Sequence, residues 1–422
     1  MTALRDSSYY FKTAEIISVG TELLIGQTVD TNAHFLSGQL TELGISTYRH
    51  TVVGDNESRL EKAIRLALED NDLVITTGGL GPTRDDLTSA VVAHIAGVSL
   101  VKDTAVDDEL KRRYSDKSRF DFSFYPTIPE GATVFMNDNG TAPGSLIIFL
   151  QSDQRKAILM LPGPPDEMKP MFLKYVTQAM EPFCRYRFIH RYVRLTGIGE
   201  SSAERLVRDL IDQQDDVTIA PYASPGEVVI RVSQRLDLNS DVDLTAAVIE
   251  ILCDRLGEYI FEVGPRSLEQ VLFDLLEQKQ ATCAFAESCT AGLASAILAS
   301  VPGVSGVFIG SIISYSNQMK HKLLGVSQEI LTVEGSVSES CARAMAEGCR
   351  EKTGADFALS FTGIAGPSGG SDDQPVGTVW IACSGDQKTK AVEFHFNGNR
   401  ERIRKLAVYA GFNLLRRSLL DL

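Results

Sequence analysis

Apolar residues occur along this chain in two rhythms. Short unbroken runs, such as residues 16–19 and 73–77, read as strands, whereas Ala33, Leu36, Leu40 and Leu43 recur at helical spacing. The first region therefore predicts a strand over 16–19 that ends at Gly20, a helix capped by Asp30 and stopped by Gly44, and a strand over 45–53. A helix capped by Ser58 and carrying Leu60, Ile64 and Leu68 follows. Next come the strand 73–77, a loop 78–86 and a helix 87–96. Strands alternating with helices, with a glycine-rich loop at a strand's carboxyl end, predict a parallel α/β sheet.

From about residue 182 the pattern changes to a small α+β unit, with strands over 192–195, 217–220 and 228–234 and helices over 200–211 and 245–256. It carries no constellation that suggests chemistry. A third region opens at Ser267, a good cap for a helix over 268–278. Strands are expected over 282–286, 307–315, 357–362, 379–383 and 392–396, and helices over 290–300, 338–353 and 400–415. The expected domains are thus 14–178, 182–262 and 266–422.

Composition narrows the picture. A chain of 422 residues exceeds the roughly 250–300 at which a single core stops growing, which also argues for several domains. At 44% hydrophobic residues it is not disordered at scale. A net charge of -14 argues against a general nucleic-acid binder but allows an anionic ligand in a local pocket. The seven cysteines form no C-x-x-C pair, which reads as a reduced compartment rather than a disulfide framework or a zinc site. Residues 1–13 lack the apolar stretch of a signal peptide, and no segment has the ~20 apolar residues that span a bilayer. The expected location is cytoplasmic, with no membrane partner.

Three C-terminal stretches stand out: Glu287-Ser288-Cys289-Thr290-Ala291-Gly292, Ser314 to Lys320, and Thr362-Gly363-Ile364-Ala365-Gly366-Pro367. The first lies between a predicted strand and helix, which exposes Ser288 and sets the Cys289 and Thr290 N–H groups among the free donors of the helix start. Such donors can stabilise an oxyanion. Lys320 falls in the first turn of another helix, where the dipole disfavours its charged form, and a desolvated lysine can act as a base toward a serine. Taken singly, each residue also has a plain reading: Ser288 as a helix cap, Lys320 as a solvated lysine, the glycines as turn formers.

Together these stretches strongly resemble the C-terminal domain of the CinA family, the nicotinamide mononucleotide deamidases. Further matching pieces are Gly335-Ser336-Val337-Ser338-Glu339, the run from Pro375 to Trp380, and Gly398-Asn399-Arg400. The resemblance implies Ser288 as nucleophile, Lys320 as its base and Tyr315 as a hydrogen-bonding partner. It places Thr290, Gly292, Gly363, Gly366 and Arg400 around the substrate, with Arg400 toward a phosphate, and implies no cofactor for this reaction. Ala291 stands where the family often has glycine, and is expected to narrow the pocket beside Ser288. Asn397-Gly398-Asn399 replaces a more usual Pro-Gly-Asp.

The second dense motif is Gly78-Gly79-Leu80-Gly81-Pro82-Thr83-Arg84-Asp85-Asp86. Its glycines let the backbone approach a ligand, and the following helix start favours an anion. Asp85 and Asp86 suit a phosphate site only with a divalent cation between them; Asp55 adds a carboxylate from the neighbouring strand end. A capped helix start, with Asp85 or Asp86 as the cap, explains the same residues without a ligand. With Gly20 to Gly26, Asp30-Thr31-Asn32 and residues 161–168, this loop resembles the molybdopterin-binding fold of the CinA N-terminal domain. The resemblance implies metal-dependent ADP-ribose pyrophosphatase activity, with Gly78, Gly79, Gly81 and Thr83 on the substrate and Asp55, Asp85 and Asp86 on the metal.

The fold expected is α/β: an N-terminal molybdopterin-binding-like parallel-sheet domain, a small α+β middle domain and a C-terminal α/β deamidase domain. The expected function is a bifunctional enzyme of pyridine-nucleotide salvage whose partners are small nucleotides, and the resemblance implies a homodimer. The competing reading is a non-catalytic nucleotide or molybdopterin binder acting in competence or the damage response.

Overall fold

The computed structural model describes residues 9–81, 83, 85–113, 127–237, 240–386 and 388–421. The chain folds as two compact units, Met1–Ile189 with Arg235–Val242 and His190–Gln234 with Asp243–Leu422. The segment 182–262, expected as a middle domain, therefore lies mostly in the second unit.

The first unit contains strands β1 (Thr13–Val19), β2 (Ser46–Val53), β3 (Leu73–Thr77), β4 (Leu100–Lys102), β5 (Thr127–Pro129), β6 (Thr133–Phe135), β7 (Gly144–Gln151) and β8 (Gln154–Leu161). Six of them form a sheet in the order β2-β1-β3-β8-β7-β6, and β4 pairs with β5 separately. β2, β1, β3 and β8 are parallel, but β7 pairs antiparallel with both β8 and β6, so the sheet is mixed where a parallel one was expected. Neighbouring residues of β1 point to opposite faces: Ile16 packs in a core with Leu36, Leu40 and Met168, and Ile17 in one with Leu60, Ile64 and Val92. Burial on both faces explains the continuous apolar runs of β1 and β3. Asp30 caps the helix Thr31–Glu42 as expected, its carboxylate accepting from the Ala33 N–H at 2.9 Å. The helix Glu57–Asp70 starts earlier than the sequence suggested. Asn56, not Ser58, supplies its cap and accepts from the Arg59 N–H.

In the second unit, β9 (Tyr186–Leu195), β10 (Val217–Ser224), β11 (Glu227–Asp237) and β12 (Ile260–Val263) form a sheet in the order β10-β11-β9-β12, its two central strands, β9 and β11, reaching beyond the unit's boundaries. The helices Glu200–Asp212 and Thr245–Leu256 contribute Ala203, Val207, Leu252 and Leu256 to its core. A five-stranded sheet follows: β13 (Cys283–Glu287), β14 (Phe308–Ile313), β15 (Phe357–Gly363), β16 (Thr378–Ser384) and β17 (Thr389–His395), in the order β14-β13-β15-β16-β17. β14, β13 and β15 are parallel and the last two antiparallel. Phe285 faces the helices Leu268–Lys279 and Arg400–Leu419 through a large core. Ala284 and Ala286 face the helix Glu339–Thr353. Small residues on that side let helix and sheet approach closely, and the Ser360 hydroxyl donates to the Ala342 carbonyl at 2.6 Å.

The helix expected over 290–300 spans only Leu293–Leu298. A tight turn from Ser288 to Gly292 precedes it, with Ala291 at φ +48° and Gly292 at φ +90°. Ala291 is exposed and does not line the pocket beside Ser288, so the expected narrowing does not occur. Among the described residues, no helix is long and apolar enough to cross a membrane.

Candidate active sites

The carboxyl ends of parallel strands place both candidate sites, as the geometry of open α/β sheets favours. In the first unit, β1 ends at Gly20, β2 at Asp55, β3 at the Gly78 loop and β8 at Pro162-Gly163. All of these line one cleft of about 560 Å³. Every N-terminal residue singled out in the sequence, Asp55, Gly78, Gly79, Gly81, Thr83, Asp85 and Asp86, borders it. Gly78 adopts φ +105°, and a Cβ there would collide with the Val19 carbonyl, so only glycine passes this point. The Thr88 hydroxyl donates to the Gly78 carbonyl at 2.9 Å and ties the loop to the helix Thr88–Ala96.

Neither Asp85 nor Asp86 caps that helix, whose N-cap position is Leu87 with no side-chain bond. Instead, Asp86 Oδ2 accepts from the Thr83 N–H at 2.9 Å and the Thr83 hydroxyl at 2.6 Å. Asp55 Oδ2 accepts from the Thr21 N–H at 3.0 Å and the Thr21 hydroxyl at 2.8 Å. Asp85 is exposed. Among the described residues, no three Asp, Glu, His or Cys side chains converge on one point. Carboxylates so arranged fit a hard divalent cation only where phosphate oxygens and water complete its shell.

In the second unit, the ends of β13, β14 and β15 surround a pocket of about 200 Å³ lined by Ser288, Cys289, Tyr315, Lys320, Gly363 and Arg400 among others. Lys320 is 2% exposed, and its Nζ lies 2.7 Å from Ser288 Oγ. The same nitrogen donates to the carbonyls of Ser314 at 3.1 Å and Tyr315 at 3.4 Å. Burial pulls the lysine pKa below its ordinary value, and Cys341 and Cys289 oppose this only in part. Lys320 has no ion-pair partner among the described residues. A neutral amine with both hydrogens committed to two carbonyls has one lone pair left, and Ser288 Oγ occupies the remaining position.

The Cys289 and Thr290 N–H groups have no acceptor on any other described residue, although they belong to the turn and not to the helix start. Cys289 lines the pocket directly; its thiol is pushed up to about 12 by burial and is no rival nucleophile. Thr290, Gly292 and Gly366 do not line the pocket. Thr290 is fully buried, with its carbonyl accepting from Arg404, and the Gly292 N–H is held by Glu287. Arg400 braces the mouth, donating to the Gly366 carbonyl and the Tyr315 hydroxyl. Ser316, Asn317, Ser336, Val337, Thr362 and Ala365 complete the lining without having been singled out as site residues.

Comparison with known proteins agrees with this architecture. Family models match in chain order: the probable molybdopterin binding domain over 15–182, the damage-inducible protein CinA KH domain over 190–261, and the CinA C-terminal domain over 265–419. A CinA-like protein of Dictyoglomus thermophilum is 44% identical across 97% of this chain and 99% of its own. The chain belongs to the CinA family. Another relative, a putative competence-damage inducible protein of Acetivibrio thermocellus, is 43% identical over 97% of this chain and 99% of its own. Among solved structures, the competence/damage inducible protein CihA of Agrobacterium tumefaciens is 34% identical, covering 36% of this chain and 93% of that one, with a TM-score of 0.36. In this CinA chain the Gly78 cleft thus sits in the molybdopterin-binding-like part, and the Ser288 pocket in the CinA C-terminal part.

Proposed function

We propose that the Ser288 pocket hydrolyses the carboxamide of nicotinamide mononucleotide, giving nicotinate mononucleotide and ammonia. One observation carries this reading: a buried lysine amine with no counter-ion stands 2.7 Å from a serine hydroxyl. Lys320 takes the Ser288 proton as Oγ attacks the amide carbon. The Cys289 N–H, on the pocket wall and without another acceptor, faces the resulting oxyanion. Collapse breaks the C–N bond, and Lys320 returns its proton to the leaving nitrogen, which departs as ammonia. Water, deprotonated by the same amine, then cleaves the Ser288 ester and restores both groups. Arg400 orients the substrate phosphate. None of these steps draws on a cofactor.

The cleft of the first unit supports a second activity, cleavage of a nucleoside-diphosphate sugar such as ADP-ribose to AMP and ribose 5-phosphate. Asp55 and Asp86 would hold a divalent cation that neutralises the diphosphate, with Asp85 at its edge and the Gly78–Gly81 backbone close to the phosphates. Both substrates arise from the turnover of nicotinamide dinucleotides, so joining the activities in one chain is coherent. The protein is expected to work as a cytoplasmic homodimer.

The test is ammonia release from nicotinamide mononucleotide by the full chain and by Ser288→Ala, with and without chelator. Chelator-resistant release that disappears in the variant supports the amidohydrolase. No release by the parent chain favours a binding protein that acts through partners in competence or the damage response.

A further inference from the structure

The turn that carries Ser288 contains one strained residue, Ala291 at positive φ, followed by Gly292, which takes positive φ freely. Such a turn persists only when its surroundings over-determine it. The group that does so is the side chain of Glu287, the last residue of β13, which is fully buried. Its Oε2 accepts from the Gly292 N–H at 2.8 Å and the Ala294 N–H at 3.2 Å. Its Oε1 accepts from the Ser295 N–H at 3.0 Å and the Ser295 hydroxyl at 2.5 Å, with the Ser311 hydroxyl at 3.3 Å. Five donors converge on this carboxylate, the Ser311 hydroxyl being shared with the Phe285 carbonyl at 3.0 Å, and among the described residues no cation pairs with it.

This arrangement settles which N–H groups are spent. The first free donors of the helix Leu293–Leu298 and of the turn before it are claimed by Glu287, with the Ala291 N–H closed onto the Ser288 carbonyl at 3.2 Å. Cys289 and Thr290 are left as the unclaimed donors of the turn. A carboxylate in this place therefore does what an uncharged isostere cannot. Glutamine would set an NH₂ against backbone N–H groups on either side, because both carboxylate oxygens face at least one of them.

We propose that Glu287 is the positioning residue of the Ser288 pocket: by clamping residues 292–295 it fixes the turn from which Cys289, which lines the pocket, presents its N–H to the reacting carbonyl. It acts through that turn and touches no substrate. The proposal rests on the amidohydrolase reading of the pocket and deepens it. The lining residues Arg400, Tyr315 and Asn317 lie on other elements and keep their places in a Glu287 variant.

The experiment compares the full-length parent, Glu287→Gln and Ser288→Ala by two readouts, steady-state deamidation and the rate at which a fluorophosphonate labels Ser288. Labelling forms a bond between Ser288 Oγ and phosphorus, expels fluoride and gives the serine proton to solvent through Lys320, and it needs the same oxyanion donor. Glu287→Gln is expected to lower kcat and the labelling rate about 10- to 100-fold, the range set by misplaced reacting groups. KM should stay close to the parent's, and the melting temperature should fall by only a few degrees, the cost of the mispaired donors in the turn. A variant that labels and turns over at the parent's rate overturns the proposal and leaves the Ser288 reading standing. A fall in kcat matched by a larger fall in melting temperature and a rise in KM also overturns it, since that is general loss of structure. A parent that neither labels at Ser288 nor releases ammonia overturns both.

Discussion

Arg400, at the start of the last helix, donates one hydrogen bond to the Tyr315 hydroxyl at 3.0 Å and another to the Gly366 carbonyl at 2.8 Å. Its planar fork thereby joins two loops at the mouth of the Ser288 pocket. Lysine keeps the charge but cannot make both bonds. Arg400→Lys should raise KM for nicotinamide mononucleotide about tenfold, the worth of one charge-assisted bond. The corresponding riboside, which has no phosphate, should be much less affected, and parallel kinetics on the two substrates check this.

Lys320 ties activity to pH. Its folded pKa lies below the unfolded value of about 10.4, so the amine is the active form and kcat/KM should rise with pH through the folded value. The sign for stability is the same. Between the two values the unfolded chain binds more protons, so the parent becomes more stable as pH rises there; below the folded value it carries the full penalty of the buried charge. Lys320→Met should be inactive and, at low pH, about 1–2 kcal/mol more stable than the parent. That gap should close as pH rises across the window, as denaturant melts at several pH values will record.

Cys289 neighbours the nucleophile but contributes through its backbone. With its thiol pushed up to about 12, it should resist iodoacetamide at neutral pH in the folded protein. Cys289→Ser should keep deamidation within about threefold of the parent, because the N–H is unchanged. Loss of activity comparable to that of Ser288→Ala would assign the chemistry to the thiol.

Ala291 sits at φ +48°, where a Cβ is strained. Ala291→Gly should stabilise the second unit by about 0.5–1 kcal/mol after allowance for the freer unfolded chain. A rise in the melting temperature of that unit, with deamidation unchanged, is the expected result.

In the first unit, Asp86 holds Thr83 by two hydrogen bonds. Asp86→Asn should lower AMP release from ADP-ribose about 10- to 100-fold. Ammonia release from nicotinamide mononucleotide should not change, and measuring both products from one preparation tests the separation.

Much of this arrangement was legible in the chain. The strands through Ile16, Leu73 and Phe285 declared themselves as buried apolar runs, and the motifs around Ser288, Lys320 and Gly78 fell at strand ends. The antiparallel pair β7 and β8 was not legible. Its turn is made by Ser152 and Asp153 at positive φ, not by the Asn-Gly or Asp-Gly that announces a tight hairpin. Periodicity also overran the start of the helix at Leu293: Thr290-Ala291-Gly292 reads as its first turn, whereas Ala291 and Gly292 take positive φ and the Glu287 carboxylate holds the Gly292 N–H. Glu287 was visible as part of a motif, but its role depends on five donors that only the folded chain collects. The same holds for Asp85 and Asp86. Local rules offered them as caps, whereas the fold binds Asp86 to Thr83 instead.

The fully buried strands β3 and β13 supply neither cleft with a side chain beyond their last residue or two. Substrate preference is therefore written in loops, at Ser336, Val337 and Ala365 in one unit and around Leu80 and Thr141 in the other. An experimenter who randomises those positions edits recognition without disturbing the sheets. New specificities for either unit should be reachable by exchanging loop residues alone, in a scaffold that is indifferent to which ligand it serves.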